Sequence, residues 1–338
     1  MAPLIIAIAN QKGGVGKTTT TINLAACLVE RRRRVLVVDM DPQANATSGL
    51  GVTVSPGRSI YAALVGRASL ADCVTPTAYK NFDIVPAELD LAGAEVELLR
   101  LPDPFLCLHR VLEEFRPQAD YHYVFLDCPP SLGTLTMNAL CAADQVLIPL
   151  QCEYFALEGL SVILRVIEDL RAAAHPTLQL DGIVMTMYSS RTKLARQVVE
   201  EVVRHFPNHI YEALIPRTVR LGEAPSYGKP VIVYDGAGLG AAAYRNLARE
   251  FLARHEGPRA YTSESIASNP AEPIARSNTD EPSLRCPEAP SSGVSKPSEV
   301  AGVGSEPSCG PAPTTAESER GIESSHAKAS EAPSSAEA

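Results

Sequence analysis

No stretch of the 338-residue chain approaches 18 uninterrupted apolar residues, so nothing in it predicts a membrane-spanning helix. The first residues also lack a basic segment followed by an apolar one, the pattern of an export signal. Eight cysteines are present, yet none belongs to a C-x-x-C pair or to another metal-ligand spacing. That argues against a zinc or iron–sulfur framework. Most of these cysteines have apolar neighbours and read as small core residues in a reducing compartment. Together these absences predict a cytoplasmic protein.

Apolar periodicity is missing from about residue 256 onward, where Ser, Pro, Ala, Glu and Gly dominate. Such a composition cannot bury enough surface to offset the entropy of ordering it, and it predicts a disordered tail over 256–338 behind a folded domain over 1–255. Thirteen acidic residues against six basic ones give the tail −7 of the chain's net −9. The acidity is therefore a property of the tail, and the domain is free to meet a polyanion through a local basic patch. With 45% hydrophobic residues, the rest of the chain can build a sizeable core.

What is present is clearest near the N-terminus. Residues 4–9 are almost wholly apolar and partly β-branched, as in a parallel strand buried on both faces. Residues 20–32 carry Ile22, Leu24, Ala25, Leu28 and Val29 at helical spacing. Between the two lie Gln11, Lys12, Gly13, Gly14, Val15, Gly16, Lys17, Thr18 and Thr19. A glycine-rich loop leaving a strand and opening a helix presents backbone N–H groups and the positive end of a helix dipole to phosphate oxygens. In the general phosphate-loop pattern Lys17 reaches the phosphates and the Thr18 hydroxyl binds Mg²⁺. The first glycine of that pattern is replaced by Gln11, and a second lysine, Lys12, follows the strand.

A second strand over 35–38 runs into Asp39 and Asp41, and a third near 123–126 ends in Asp127. Carboxylates at the carboxyl ends of strands beside a phosphate loop are placed to hold the waters of Mg²⁺ or to orient an attacking water. A run of four arginines, Arg31 to Arg34, sits where a helix ends before a strand, which favours cations through the dipole alone. Further strands near 82–85, 145–149 and 182–187 alternate with helices near 60–65, 88–99, 105–115 and 156–173. The alternation predicts an α/β fold with a doubly wound, mainly parallel sheet and a ligand over the strands' carboxyl ends.

The loop with its extra lysine resembles the deviant Walker A loop of the ParA/MinD ATPases. The stretches Gln151 to Leu160 and Ile215 to Ser226 resemble the ParA/Soj chromosome-partitioning ATPases in particular, and the likeness covers most of residues 4–254. The resemblance implies an ATPase using ATP and Mg²⁺, with residues 12–19 on the nucleotide and Lys12 reaching the nucleotide of a second subunit. It further implies Asp41 on the hydrolytic water, and Thr18, Asp39 and Asp127 around the metal. Pro216 would line the adenine site. Members of this family are ATP-switched homodimers that bind double-stranded DNA without sequence preference, associate with the nucleoid and are released by a ParB-like partner. Arg191 and Arg220, with Arg217 beside them, match DNA-binding positions. The residues agree in part: between Arg191 and Arg254 ten basic residues face six acidic ones, a local +4.

Other functions share such a loop. A MinD-like positioning ATPase would carry a basic amphipathic C-terminal helix, and an iron–sulfur reductase would present paired cysteines, of which Cys128 alone lies beside a motif. A small-molecule synthetase of the dethiobiotin type is the alternative from a different class. It would leave the basic C-terminal half unexplained.

Overall fold

The structure, a computed structural model, describes residues 2–257, so the expected tail beyond Gly257 lies outside the described residues. In chain order β1 (Leu4–Ile8) leads through the glycine loop into α1 (Lys17–Glu30), followed by β2 (Val35–Asp39). Three short helices, α2 (Asn45–Gly49), α3 (Ile60–Leu64) and α4 (Leu70–Cys73), precede β3 (Thr75–Pro76) and β4 (Phe82–Val85). Then come α5 (Leu91–Leu98), α6 (Cys107–Phe115), β5 (Tyr123–Asp127), α7 (Thr134–Ala142) and β6 (Gln145–Gln151). The last third comprises α8 (Ala156–Ala173), β7 (Gln179–Thr186), α9 (Lys193–His205), α10 (Val219–Glu223), α11 (Val231–Tyr234) and α12 (Leu239–Glu256).

The strands form one seven-stranded sheet in the order β3-β4-β2-β5-β1-β6-β7. Every pairing is parallel except that of β3 with β4 at the edge. Side chains alternate across a strand, so the unbroken apolar run of β1 serves two cores. Ile6 and Ile8 pack with Leu24, Leu28, Leu247 and Phe251 of α1 and α12. Ile5 and Ala7 point the other way, into the layer that contains Leu108, Leu135, Ile163 and Val202 of α6 to α9. The sheet is thus covered on both faces, the doubly wound architecture expected from the alternating pattern.

The first helix begins at Lys17 and ends at Glu30, three residues earlier and two earlier than its apolar spacing suggested. Its start is shifted because the last loop residues are already helical. Its end is shifted because Arg31 caps the helix and Arg32 turns the chain with a φ of 60°. The arginine run is tied to neighbouring elements: Arg33 Nε donates to Glu256 Oε1 at 2.7 Å, Arg34 pairs with Asp120, and Arg31 Nη2 donates to the Arg245 carbonyl at 3.2 Å. The edge strand β3 and the helices α2, α4, α7 and α9 to α12 had no counterpart in the sequence reading. Of the six described cysteines, five are buried and Cys152 is half-buried. Among the described residues no helix is long and apolar enough to cross a membrane.

Phe251 locks α12 onto the sheet, fully buried with its ring edge-on to Tyr123 at 5.1 Å and to Phe125 at 6.0 Å. Phe251→Ala should therefore lower the unfolding free energy by about 3 to 5 kcal/mol in urea titrations. A loss below about 1 kcal/mol would mean that α12 contributes little to the core.

Candidate functional site

The glycine loop occupies the carboxyl end of β1, next to β5 and β6 in the middle of the sheet. Two side chains outside the glycines hold it. Asn10 Oδ1 accepts the Lys12 N–H at 3.0 Å while Asn10 Nδ2 donates to the Pro149 carbonyl at 2.8 Å. From β7, Thr186 Oγ1 donates to the Val15 carbonyl at 2.7 Å. Gly16 enters the helix at φ 90°, a conformation costly for any residue with a Cβ, and no side chain caps the first turn of α1. The N–H groups of that turn therefore remain available to an anion.

Lys17 is 7% exposed, and its ammonium donates to the Lys12 carbonyl at 3.2 Å. Burial lowers its pKa, an effect opposed by the nearby Asp127, Cys128 and Asp41. Lys12 points elsewhere, into an ion pair with Glu153, just beyond β6. Thr18 and Thr19 are half-buried in the first turn of α1.

Register explains the carboxylates. β2 and β5 pair in parallel so that Asp39 stands opposite Asp127, and β1 places Ile8 on the other side of Asp127. Both carboxylates are fully buried. Asp39 Oδ2 accepts the Thr47 N–H at 2.9 Å and the Thr47 hydroxyl at 2.7 Å, and its Oδ1 accepts the Asp41 N–H at 3.2 Å. Asp127 Oδ1 accepts from Thr21 Oγ1 at 2.8 Å. Its Oδ2 is buried without a hydrogen-bond partner. Desolvation raises both carboxyl pKa values, and for Asp127 the charge of Asp39 adds to it. Asp41 is 7% exposed and accepts the Gln43 N–H at 2.9 Å, so it also closes a local turn.

The remaining predicted residues lie farther along the chain. Pro216 is half-buried and bridged to Tyr188, which follows Thr186 by two residues. That bridge sets the loop carrying Arg191 beside the one carrying Arg217, and both arginines are exposed with no ion pair among the described residues. Arg220 is exposed as well, but it pairs with Glu223 at 3.0 Å and lies over the Tyr234 ring at 5.9 Å. Thr21, Thr47, Asn10, Thr186 and Glu153 were not singled out from the sequence. Only Thr21, one helical turn after Lys17, carried a positional hint; the others act across sheet register or between loops.

A family model described as an AAA domain matches residues 4–180. "Chromosome partitioning protein ParA" of Caulobacter vibrioides is 47% identical over 257 residues, 76% of this chain and 96% of that protein. "Sporulation initiation inhibitor protein Soj" of Bacillus subtilis is 49% identical over 250 residues, 74% and 98% of the two chains. Among solved structures, cobyrinic acid a,c-diamide synthase from Mycobacterium smegmatis with bound ADP and magnesium is 37% identical with a TM-score of 0.65, covering 75% of this chain and 96% of that one.

Raised carboxyl pKa values mean that the folded protein takes up these protons more readily than the unfolded chain. Their stabilising contribution is complete below the ordinary carboxylate range and is lost as pH rises through the raised values. Without metal or nucleotide, the thermal midpoint should fall from about pH 5 to about pH 8, and Asp127→Asn should flatten that fall. Parallel pH profiles for the two proteins would show that the pair is not strained.

Proposed function

The chain belongs to the ParA/Soj family of chromosome-partitioning ATPases, and from that premise we propose that it is an ATP-gated homodimer that holds DNA without sequence preference until a ParB-like partner stimulates hydrolysis. The observation that carries this reading is the meeting of the phosphate loop, its second lysine and the Asp39–Asp127 pair at one end of the sheet.

The residues fit a nucleotide with its metal. The unpartnered Asp127 Oδ2 and the like charge of Asp39 beside it call for a cation. Bound Mg²⁺ supplies charge neutralisation for the phosphates. Asp39, Asp127 and the Thr18 hydroxyl would hold it. Backbone N–H groups of Gly13, Gly14, Val15, Gly16, Lys17, Thr18 and Thr19 cradle the phosphates, with the Lys17 ammonium on the same oxygens. Asp41 orients the water whose oxygen attacks the γ-phosphorus as the bridging P–O bond breaks, giving ADP and phosphate. Pro216 lines the adenine.

Lys12 acts in trans. It leaves Glu153 and reaches the nucleotide of the second subunit, where it offsets the repulsion of two facing triphosphates. Tyr154 and Phe155, exposed directly after Glu153, supply apolar surface for that association. Arg191, Arg217 and Arg220 meet DNA phosphates, which suits binding in the nucleoid and needs no base contacts.

A small-molecule synthase is the second reading, favoured by the M. smegmatis structure. Its 37% identity stands below the 47% and 49% of the two partitioning proteins. Retention on DNA that depends on ATP separates the two readings.

Lys12→Ala should bind ATP yet stay monomeric in sedimentation with ATP, whereas Lys17→Ala should lose ATP binding itself. Dimerisation of Lys12→Ala equal to wild type would remove the trans role.

Each arginine contacting phosphate contributes two contacts per dimer. Arg191→Ala or Arg217→Ala should therefore flatten the slope of log K against log salt by roughly 1.8. Arg220→Ala should flatten it less, since Glu223 already balances that charge. An unchanged slope in the first two variants would mark those arginines as solvated surface.

A further inference from the structure

Helix α2 connects the nucleotide site to the segment that bears Arg220. Helix α2 starts six residues after Asp39 and is bound to it, because Thr47 gives both its N–H and its hydroxyl to Asp39 Oδ2. Beyond α2, the chain meets the short 3₁₀ turn Ala224–Tyr227, which continues directly from α10 and Arg220. The meeting is backbone against backbone. A Cβ on Gly228 would stand 2.7 Å from Gly51 Cα and 3.0 Å from Gly51 N, and one on Gly51 would stand 3.3 Å from the Gly228 carbonyl oxygen. Both glycines occupy the left-handed region, at φ 68° and 62°. Two residues earlier Gly49 leaves room for Ile22 of α1, and its own Cβ would lie 3.6 Å from Pro225 Cβ.

A second tie secures the far end of the same segment. The Val231 N–H donates to Asn23 Oδ1 at 2.6 Å, while Asn23 Nδ2 donates to the Thr19 carbonyl at 2.8 Å in the first turn of α1. The segment with Arg220 is therefore held between the phosphate-loop helix and the helix that grips Asp39. Side chains in contact can absorb a small shift by changing rotamer; two backbones in contact have no such freedom, and close-packed interfaces pass displacement on.

We propose that the Gly51–Gly228 contact is the coupling element through which nucleotide occupancy sets the position of α10 and its arginines, and hence the affinity for DNA. The inference rests on the DNA-binding reading above. Thermodynamic linkage adds a second consequence: DNA must tighten the binding of ATP by the same factor by which ATP tightens that of DNA.

The test measures anisotropy of a labelled duplex with a non-hydrolysable ATP analogue and with ADP, for wild type, Gly228→Ala, Gly51→Ala and Gly57→Ala. Gly57 also has a positive φ, 71°, but a Cβ there meets nothing within 4 Å, so Gly57→Ala carries backbone strain without the contact. Wild type and Gly57→Ala should bind duplex roughly 5- to 150-fold more tightly with the analogue than with ADP. Gly51→Ala should reduce that ratio and Gly228→Ala should bring it near one, each binding the analogue alone within about twofold of wild type. Thermal melts check folding, and if Gly228→Ala is unfolded, Gly51→Ala decides. A wild-type ratio in the folded glycine variants, or an equal loss in Gly57→Ala, overturns the coupling. Nucleotide-independent DNA binding by wild type overturns the DNA reading itself, and the coupling with it.

Discussion

Two carboxylates buried side by side, Asp39 and Asp127, are the constraint to which the rest of the site answers. Parallel pairing of β2 and β5 leaves no choice of level for them, and neither reaches solvent. Ionising both in such a place is unfavourable unless donors and cations surround them. The fold supplies Thr47 to one and Thr21 to the other, with the Lys17 ammonium nearby. One oxygen of Asp127 is still left over. That unpartnered oxygen is destabilising in the bare protein, and in the proposed reading a bound cation completes the cluster. A site assembled this way trades stability for affinity.

The same economy governs the loop. Glycines allow its backbone to curl around phosphate, but they leave it soft. Asn10 and Thr186 restore precision by hydrogen-bonding loop backbone at Lys12 and Val15, one from the end of β1 and the other from β7 across the sheet. The two lysines meet different environments. Lys17 is buried against the loop itself, whereas Lys12 is half-exposed and held by a carboxylate outside it. Proximity in sequence thus conceals two separate tasks, one within the subunit and one, in the proposed dimer, beyond it.

Charge on the surface divides by partnership more than by number. The consecutive arginines after α1 look like the densest cationic patch in the chain, yet Arg33 and Arg34 are matched to Glu256 and Asp120. Arg191 and Arg217 are isolated in sequence and face solvent without a countercharge among the described residues. The Tyr188–Pro216 bridge joins the segments that lead to them.

Much of this was legible before any coordinate. Apolar runs long enough for strands but too short for helices, an intervening helical period, and glycines with lysine between them determine strand, phosphate loop and helix locally, because each depends on only a few adjacent residues. The ends of β2 and β5 likewise announced carboxylates beside a phosphate. What the sequence could not determine was register, since a shift of one residue between β2 and β5 would leave each strand's apolar pattern intact while separating Asp39 from Asp127. Nor could it show that Glu153 holds Lys12, that Glu223 already occupies Arg220, or that Gly51 meets Gly228 across more than 170 residues of chain. Those are contacts between elements remote in sequence, set by how helices settle on the sheet, and only the tertiary structure decided them.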